Sequence, residues 1–221
     1  MPKQVSNVAA DDYLTAIYRI SHDEGQDVIA VRLADRLAIT PPSVAGMLKR
    51  LQRDKLVSLD AKKVIRLTPH GLARAEEMVR RHRLAECLLT DVLKLEWWRA
   101  YEEAHLLEHG LSEMTEPLLF EALKRPAHSP FGYPIPGAGA PKMSMLHLAD
   151  VGEGADAVVD RVFEEDERLL KFFFDEGFLP GRSVHVELVE PYRGTMTVKL
   201  QGDPVVIGTQ VARQIWVHNP D

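Results

Sequence analysis

The segment of residues 125–142 constrains the fold most, because proline and glycine interrupt it too often for a regular element to form. Prolines stand at positions 126, 130, 134, 136 and 141, and glycines stand at positions 132, 137 and 139. Proline removes a backbone donor and fixes its own φ, so this density predicts a linker. We therefore expect the chain to fold as separate parts on the two sides of the linker.

Before the linker, the pattern is that of a winged helix-turn-helix. Apolar residues at helical spacing predict one helix over residues 8–20 and a second over about residues 31–37. Thr40 and Pro41 suit the N-cap and the first turn of a third helix. In this motif the helix after the turn enters the major groove with its N-terminal end.

Two short apolar strands, residues 56–59 and 64–67, flank a basic turn and predict a hairpin, which would be the wing. Beyond the wing we expect helices as far as about residue 124, with breaks near Lys94 and at residues 110–112. A helical block beside a DNA-reading module is typical of a dimer interface, because two-fold symmetry presents two modules to two half-sites.

After the linker, alternating apolar and polar residues predict a small β-barrel. Its strands cover residues 184–189, 195–200, 205–207 and 215–217, and a short helix covers residues 164–174 and is closed by Gly177. The whole chain is thus expected to be mainly α with β structure.

Positive charge is concentrated before the linker. Residues 1–75 carry 12 Lys and Arg against 8 Asp and Glu; the whole chain has a net charge of −6, so the remaining residues carry −10. On a winged helix-turn-helix this excess indicates a DNA-binding face. A basic face that is only solvated, or a winged helix used for protein contacts, also fits the charge. The residues expected on the recognition helix at the DNA are Thr40, Pro42, Ser43, Gly46 and Lys49.

His105, Glu108 and His109 form the strongest chemical motif of the chain. On a helix their side chains, at i, i+3 and i+4, project from one face and could bind a divalent metal ion. His82 and Glu86 repeat a His and Glu at ligand spacing on the preceding helix. This repetition favours a metal site over separate surface or packing roles.

The letters H-x-x-E-H of residues 105–109 also spell the zinc site of a class of metallopeptidases. Such an enzyme needs a third protein ligand, a substrate cleft and the glutamate as general base. The position of the motif, in a helical block after a DNA-binding module, favours a regulatory metal site, and we expect no enzymatic activity. A metal-independent winged-helix regulator is a further alternative, which would bind DNA equally well in chelator.

The chain has one cysteine and no pattern typical of a membrane or secreted protein. The single cysteine, Cys87, rules out an intrachain disulfide and is expected to pack among leucines. No apolar run approaches the roughly 18 residues of a membrane span, and residues 1–10 lack the pattern of a secretory signal. We expect a cytoplasmic protein with neither a membrane partner nor a small-molecule substrate.

Five segments carry a family resemblance: residues 12–14 (DYL), 81–86 (RHRLAE), 88–91 (LLTD), 103–109 (EAHLLEH) and 129–137 (SPFGYPIPG). Over nearly its whole length the chain resembles the diphtheria toxin repressor and manganese transport regulator family of metal-activated repressors. The resemblance implies a winged helix-turn-helix DNA-binding domain (1–75), a helical metal-binding and dimerisation domain with the Pro-rich linker (76–142), and an SH3-like, FeoA-type domain (143–221).

The resemblance implies a primary metal site formed by Asp12, His105, Glu108 and His109. At the position of Asp12, many iron-responsive relatives have Met and manganese-responsive ones have Asp. His105 is a departure, because iron-responsive relatives have Cys there and manganese-responsive ones often have Glu or Cys. Thr15 stands where some binuclear manganese sensors have a bridging Glu, which argues against a close-coupled two-metal cluster of that type.

An ancillary metal site is implied at His82 and Glu86. Tyr101 stands at the position of its third ligand, which is usually His, and a protonated tyrosine is a poor ligand. Asp166 is the nearest equivalent of a carboxylate ligand from the SH3-like domain, with the glutamates on either side of it as alternatives. The resemblance also implies that Arg32 and Arg50 contact phosphates and that Lys63 lies in the wing near the minor groove.

A ligand set of imidazole and carboxylate without sulfur favours Mn²⁺, with Fe²⁺ as the alternative, while Zn²⁺ or Co²⁺ should also bind in vitro. The implied function is that of a metal-activated homodimeric repressor of palindromic operators at metal-homeostasis genes. In this hypothesis the metal is a corepressor that ties Asp12 of the DNA-binding module to the ligands of the dimer helices.

Overall fold

The computed structural model describes residues 3–200 and 202–220, with side chains described from Ala9 onward. Within this part, the chain divides into two compact units, one up to Arg81 and one from His82. No helix among these described residues is long and apolar enough to cross a membrane.

The first unit is a winged helix-turn-helix, as predicted. Its elements are α1 (Lys3–Tyr18), a π-helical turn (Arg19–Asp23), α2 (Ala30–Arg36), α3 (Pro41–Arg53), the antiparallel strands β1 (Val57–Leu59) and β2 (Ile65–Leu67), and the part of α4 (Pro69–Cys87) that precedes His82. Thr40 has extended backbone angles and Pro41 is the first helical residue of α3. Helix α3 therefore begins at the position that the Thr-Pro pair predicts.

The core of the first unit joins one face of each helix to the wing. Leu14 and Ile17 of α1, Leu33 of α2 and Leu51 of α3 are buried together. At the start of α4, the backbone N–H of Gly71 donates to Thr68 Oγ1 at 3.1 Å. A Cβ at residue 71 would lie 1.9 Å from the Leu56 carbonyl oxygen, so only glycine allows this close approach.

The second unit begins with short helical elements. The last turns of α4 lead into a π-helical turn (Leu88–Val92), a 3₁₀ turn (Trp97–Arg99), α5 (Ala100–Leu107), a 3₁₀ turn (Glu108–Gly110) and α6 (Thr115–Ala122). Residues 125–142 contain no helix and no strand, as expected. They are nevertheless packed, because Phe131, Tyr133 and Ile135 are buried.

The remainder of the second unit is a six-stranded antiparallel sheet with two helices. Its elements are β3 (Leu146–His147), β4 (Asp156–Val162), α7 (Glu167–Glu176), β5 (Ser183–Glu190), β6 (Thr195–Leu200), β7 (Asp203–Gly208), α8 (Thr209–Ala212) and β8 (Ile215–His218). The strand order is β3-β8-β4-β5-β6-β7. The sequence patterns predict β5 to β8 but miss β3 and β4. In β4 the register shifts between Val159 and Arg161, which breaks the alternation expected of a strand.

Candidate functional site

Glu108 is the centre of a group of histidines in the second unit. It begins the 3₁₀ turn after α5, and its side chain is 4 % exposed. Its Oε2 lies 2.6 Å from Nδ1 of His82, and its Oε1 lies 3.2 Å from Nδ1 of His105 and 3.4 Å from Nε2 of His109. One carboxylate therefore contacts three imidazoles.

The charge state of Glu108 follows from these contacts. Burial alone would raise its pKa, but hydrogen bonds to His105 and His82 and the charges of these rings outweigh burial and lower the pKa to about 2. Glu108 is thus ionised at neutral pH, which is the form that binds a metal ion. The stabilisation it gives to the fold is present above its ordinary pKa of 4.5 and is lost as the pH falls toward 2.

A second group lies on the other side of the His82 ring. Nε2 of His82 is 3.0 Å from Oε1 of Glu86, one helical turn further along α4. Glu164, which follows β4, completes this group: potential ligand atoms of the three residues lie within 4.8 Å of one another, and all three side chains are buried. His82, His105 and Glu108 satisfy the same distance limit in the first group.

The surroundings of Glu86 fit a bound cation. Its carboxylate is fully buried, and its Oε1 lies 3.0 Å from Nε2 of His82 without a hydrogen bond between them; among the residues that the structure describes neither oxygen has a hydrogen-bond partner. A buried carboxylate without donors is strongly destabilising unless a positive charge balances it. A divalent ion held by His82, Glu86 and Glu164 would supply that charge.

Five of the predicted ligands are brought together in the second unit. His82, Glu86, His105, Glu108 and His109 are linked by the contacts above. Asp12 lies in the first unit, where it lines a cavity of about 510 Å³ together with Tyr13, Met47 and Arg50. The assignment of Asp12 as a ligand stays a prediction.

Tyr101 is a neighbour of His82, the residue that both groups include. Its ring packs edge-on against that of His82, with 4.9 Å between the ring centroids. It thus lies beside the site, as its position in the ligand pattern implies, and offers an aromatic contact there.

Asp166 caps helix α7, and its assignment as a metal ligand stays a prediction. Its Oδ1 accepts hydrogen bonds from the backbone N–H groups of Arg168 (2.9 Å) and Leu169 (3.0 Å), so it is the N-cap of α7. The carboxylate that reaches the second group is that of Glu164, which sequence reasoning missed. Aspartate is a preferred N-cap, so its position directly before an amphipathic helix was the available signal.

The expected DNA-binding residues of the first unit lie mainly on one exposed face. Helix α3 buries Val44, Leu48 and Leu51 and leaves its other side to solvent. The exposed residues of this side are Thr40, Pro42, Ser43, Gly46 and Lys49, while Arg50 is half-buried. A Cβ added to Gly46 would meet nothing within 4 Å, so packing within the chain does not explain this glycine.

The wing carries Lys63 at an exposed position. Its φ of 61° lies in the left-handed region, and the turn is shaped by Asp60, whose Oδ1 accepts the N–H groups of Lys62 and Val64 at 2.9 Å. Arg32 of α2 is half-buried, and its guanidinium donates to the Asp27 carbonyl. The residues predicted to contact phosphates thus lie on α2, α3 and the wing.

A winged helix-turn-helix combined with buried His and Glu groups in a helical segment defines a class of metal-responsive DNA-binding proteins. Three family models match the chain: "Iron dependent repressor, N-terminal DNA binding domain" over residues 8–65, "Iron dependent repressor, metal binding and dimerisation domain" over residues 68–137, and "FeoA domain" over residues 146–219. The chain belongs to the diphtheria toxin repressor family of metal-dependent transcriptional repressors, which are not enzymes.

Relatives named for iron and for manganese are both similar to the chain. The iron-dependent repressor IdeR of Mycobacterium tuberculosis (strain H37Rv) is 35 % identical in an alignment of 220 positions, which covers 93 % of this chain and 94 % of the relative. A solved manganese-dependent transcriptional repressor in complex with manganese is 28 % identical, with a TM-score of 0.87 over 96 % of this chain and all of the other. The structure of ScaR with bound Zn²⁺ is 26 % identical, with a TM-score of 0.83 over 96 % of this chain and 99 % of the other.

Proposed function

We propose that this chain is a Mn²⁺-activated homodimeric repressor that binds palindromic operators of metal-homeostasis genes. The observation that carries the proposal is the ionised Glu108 in contact with His82, His105 and His109. A bound divalent ion supplies positive charge to this group. Fe²⁺ is the alternative corepressor, because IdeR is named as iron-dependent.

The preference for Mn²⁺ rests on the chemistry of the ligands. The two groups offer imidazole and carboxylate and no sulfur, and the only cysteine, Cys87, is buried with its thiol directed to the His128 carbonyl. Carboxylate oxygen suits Mn²⁺, whereas imidazole also accepts Fe²⁺, Co²⁺ and Zn²⁺. Zn²⁺ and Co²⁺ are therefore expected to bind the purified protein.

The homodimer is proposed to form through an exposed apolar face on α5 and α6. Leu106 (73 % exposed), Met114 (79 %) and Leu118 (66 %) lie within the region that matches the dimerisation model. Large aliphatic side chains that are exposed in the isolated chain favour a protein interface. A second copy of the chain would cover this face and present a second recognition helix.

The proposal is tested by measuring operator affinity against free metal concentration. An operator is first selected from random DNA in the presence of Mn²⁺, and fluorescence anisotropy then follows binding in chelator, Mn²⁺, anaerobic Fe²⁺ and Zn²⁺. We expect Mn²⁺ to tighten binding by a factor of at least about 10, within the usual range of allosteric coupling. Equal binding in chelator would contradict metal activation, and stronger activation by Fe²⁺ at equal site occupancy would favour the alternative corepressor.

Gly46 offers a test of the recognition face. The substitution Gly46→Glu is expected to leave the first unit folded, because glutamate is a better helix former than glycine by somewhat under 1 kcal/mol and the position has free space. Operator affinity is expected to fall more than about 10-fold, because the new carboxylate would face phosphates and base edges.

The matched control is Gly46→Gln, which adds the same volume without the charge. Circular dichroism checks the helix content of both variants, and anisotropy measures their operator affinity. Similar affinities for the glutamate and glutamine variants would mean that this face of α3 does not approach DNA.

A further inference from the structure

Arg66 connects the wing of the first unit to the loop before α2. It lies on β2, and its Nη2 is 3.4 Å from Oδ2 of Asp60 in the wing and 3.8 Å from Oδ1 of Asp27 in the loop. The backbone carbonyl of Asp27 also accepts the guanidinium of Arg32, a predicted phosphate contact. One guanidinium of the wing thus faces a carboxylate from each of the two segments.

The carboxylate of Asp60 divides its contacts between Arg66 and the turn of the wing. Its Oδ1 accepts the backbone N–H groups of Lys62 and Val64 at 2.9 Å, and its Oδ2 accepts from Arg66. The pKa of Asp60 is lowered, above all by the hydrogen bond from Val64, so the carboxylate is ionised at neutral pH. Inside this turn Lys63 has a φ of 61°, which is unfavourable for lysine and persists only where neighbours enforce it. The conformation of Lys63 therefore depends on the carboxylate that Arg66 faces.

Packing between the wing and the loop leaves room for movement. A cavity of about 170 Å³ is lined by residues from the segments 21–28 and 64–67. A backbone hydrogen bond of 2.8 Å from Ile65 to the Val28 carbonyl joins the two segments beside it. Because side chains do not fill the space between them, the two ion pairs of Arg66 contribute to their spacing.

We propose that Arg66 is a positioning residue for DNA binding, which anchors the turn of the wing to the loop before α2 and thereby sets where Lys63 meets the DNA. In this inference Arg66 is not itself a phosphate contact. Its guanidinium has two carboxylates beside it, and their negative charges disfavour a phosphate at the same place. The inference rests on the proposed binding of the operator through α3 and the wing.

A double-mutant cycle distinguishes positioning from direct contact. Fluorescence anisotropy measures the operator affinity of full-length Arg66→Gln, Lys63→Ala and the double variant in saturating Mn²⁺. Exposed ion pairs are individually weak, so Arg66→Gln alone is expected to weaken binding by about 3- to 5-fold. In the Lys63→Ala background the same change should weaken it by less than about 2-fold, because residues that act through one another are not additive. Equal effects in both backgrounds would make Arg66 an independent phosphate contact and would overturn the inference.

The partner carboxylate gives a second test, in which charge and positioning predict opposite signs. Asp27→Asn removes a negative charge near the predicted phosphate contacts and keeps the carbonyl that binds Arg32. If net charge alone mattered, operator binding would tighten, because a carboxylate repels phosphate. Loss of the anchor predicts instead that binding weakens by about 2- to 4-fold. Unchanged or tighter binding would overturn the inference.

Two further variants control for charge and for folding. Arg193→Gln removes the same charge from an exposed arginine that is paired with Glu190 in the second unit, and its operator affinity should equal that of the wild type. Arg66→Lys keeps a cation between the two carboxylates and should bind within about 2-fold of the wild type, while circular dichroism compares the helix content of all variants.

The inference and the proposed function can fail separately. If Lys63→Ala weakens operator binding but Arg66→Gln does not, the anchoring role of Arg66 is contradicted alone. If Lys63→Ala has no effect, the proposed contact of the wing with DNA is overturned, and the role of Arg66 with it.

Discussion

Replacing Glu108 with glutamine is expected to abolish metal-dependent operator binding while the first unit stays folded. The side chain is buried and contacts His82, His105 and His109, so its loss removes the one anion common to three potential ligands. Even residues that only orient metal ligands typically change affinity or activity by 10- to 100-fold. For Glu108 we expect the activation by Mn²⁺ to fall by about 100-fold or to disappear.

Anisotropy titrations with Mn²⁺ at fixed operator concentration measure this effect. Glu113→Gln is the control, because Glu113 is an exposed glutamate in the following loop and the change removes the same charge. Thermal unfolding of both variants in chelator shows whether the fold survives. Full Mn²⁺ activation of the Glu108 variant would exclude this carboxylate from the regulatory site.

The parts of the fold that were predictable are those with local causes. Thr40-Pro41 starts α3 because an N-cap residue and a fixed φ act within one turn. Gly177, with φ of 87°, ends α7 because glycine accepts the left-handed conformation without strain. Strand β4 escaped prediction because Arg161 is buried inside it, and the bulge that places this cation breaks the alternating pattern.

The site was predictable only in part, because residue spacing describes a single helix. Spacing groups His105, Glu108 and His109, and it separately groups His82 and Glu86. The two sets meet at His82 because of the way α4 packs against the turn after α5. No local sequence pattern encodes this packing. Glu164 was missed for the same reason: its place beside His82 is a property of tertiary structure, whereas the capping role of Asp166 is local.

Introducing a charge into the proposed dimer face is expected to produce a monomer that no longer binds its operator stably. The double variant Leu106→Glu, Leu118→Glu replaces two exposed leucines with carboxylates. Burying an unpaired charge in an interface costs several kcal/mol, more than enough to dissociate a dimer at micromolar concentration. Each monomer would then contact a single half-site and lose the advantage of bivalent binding, which is worth 100-fold or more.

Sedimentation velocity measures the oligomeric state, and anisotropy measures operator affinity in saturating Mn²⁺. Val206→Glu is the matched control, because Val206 is 64 % exposed on β7 and should tolerate the same substitution without a change in the mass of the assembly.

Measuring Mn²⁺ affinity distinguishes loss of the dimer from loss of metal binding. The two groups of potential ligands that include His82 lie within one chain, so the monomeric variant should still bind Mn²⁺. A variant that stays dimeric would place the interface elsewhere on the second unit. A monomer that still binds the full operator as tightly as the wild type would mean that repression does not depend on pairing two recognition helices.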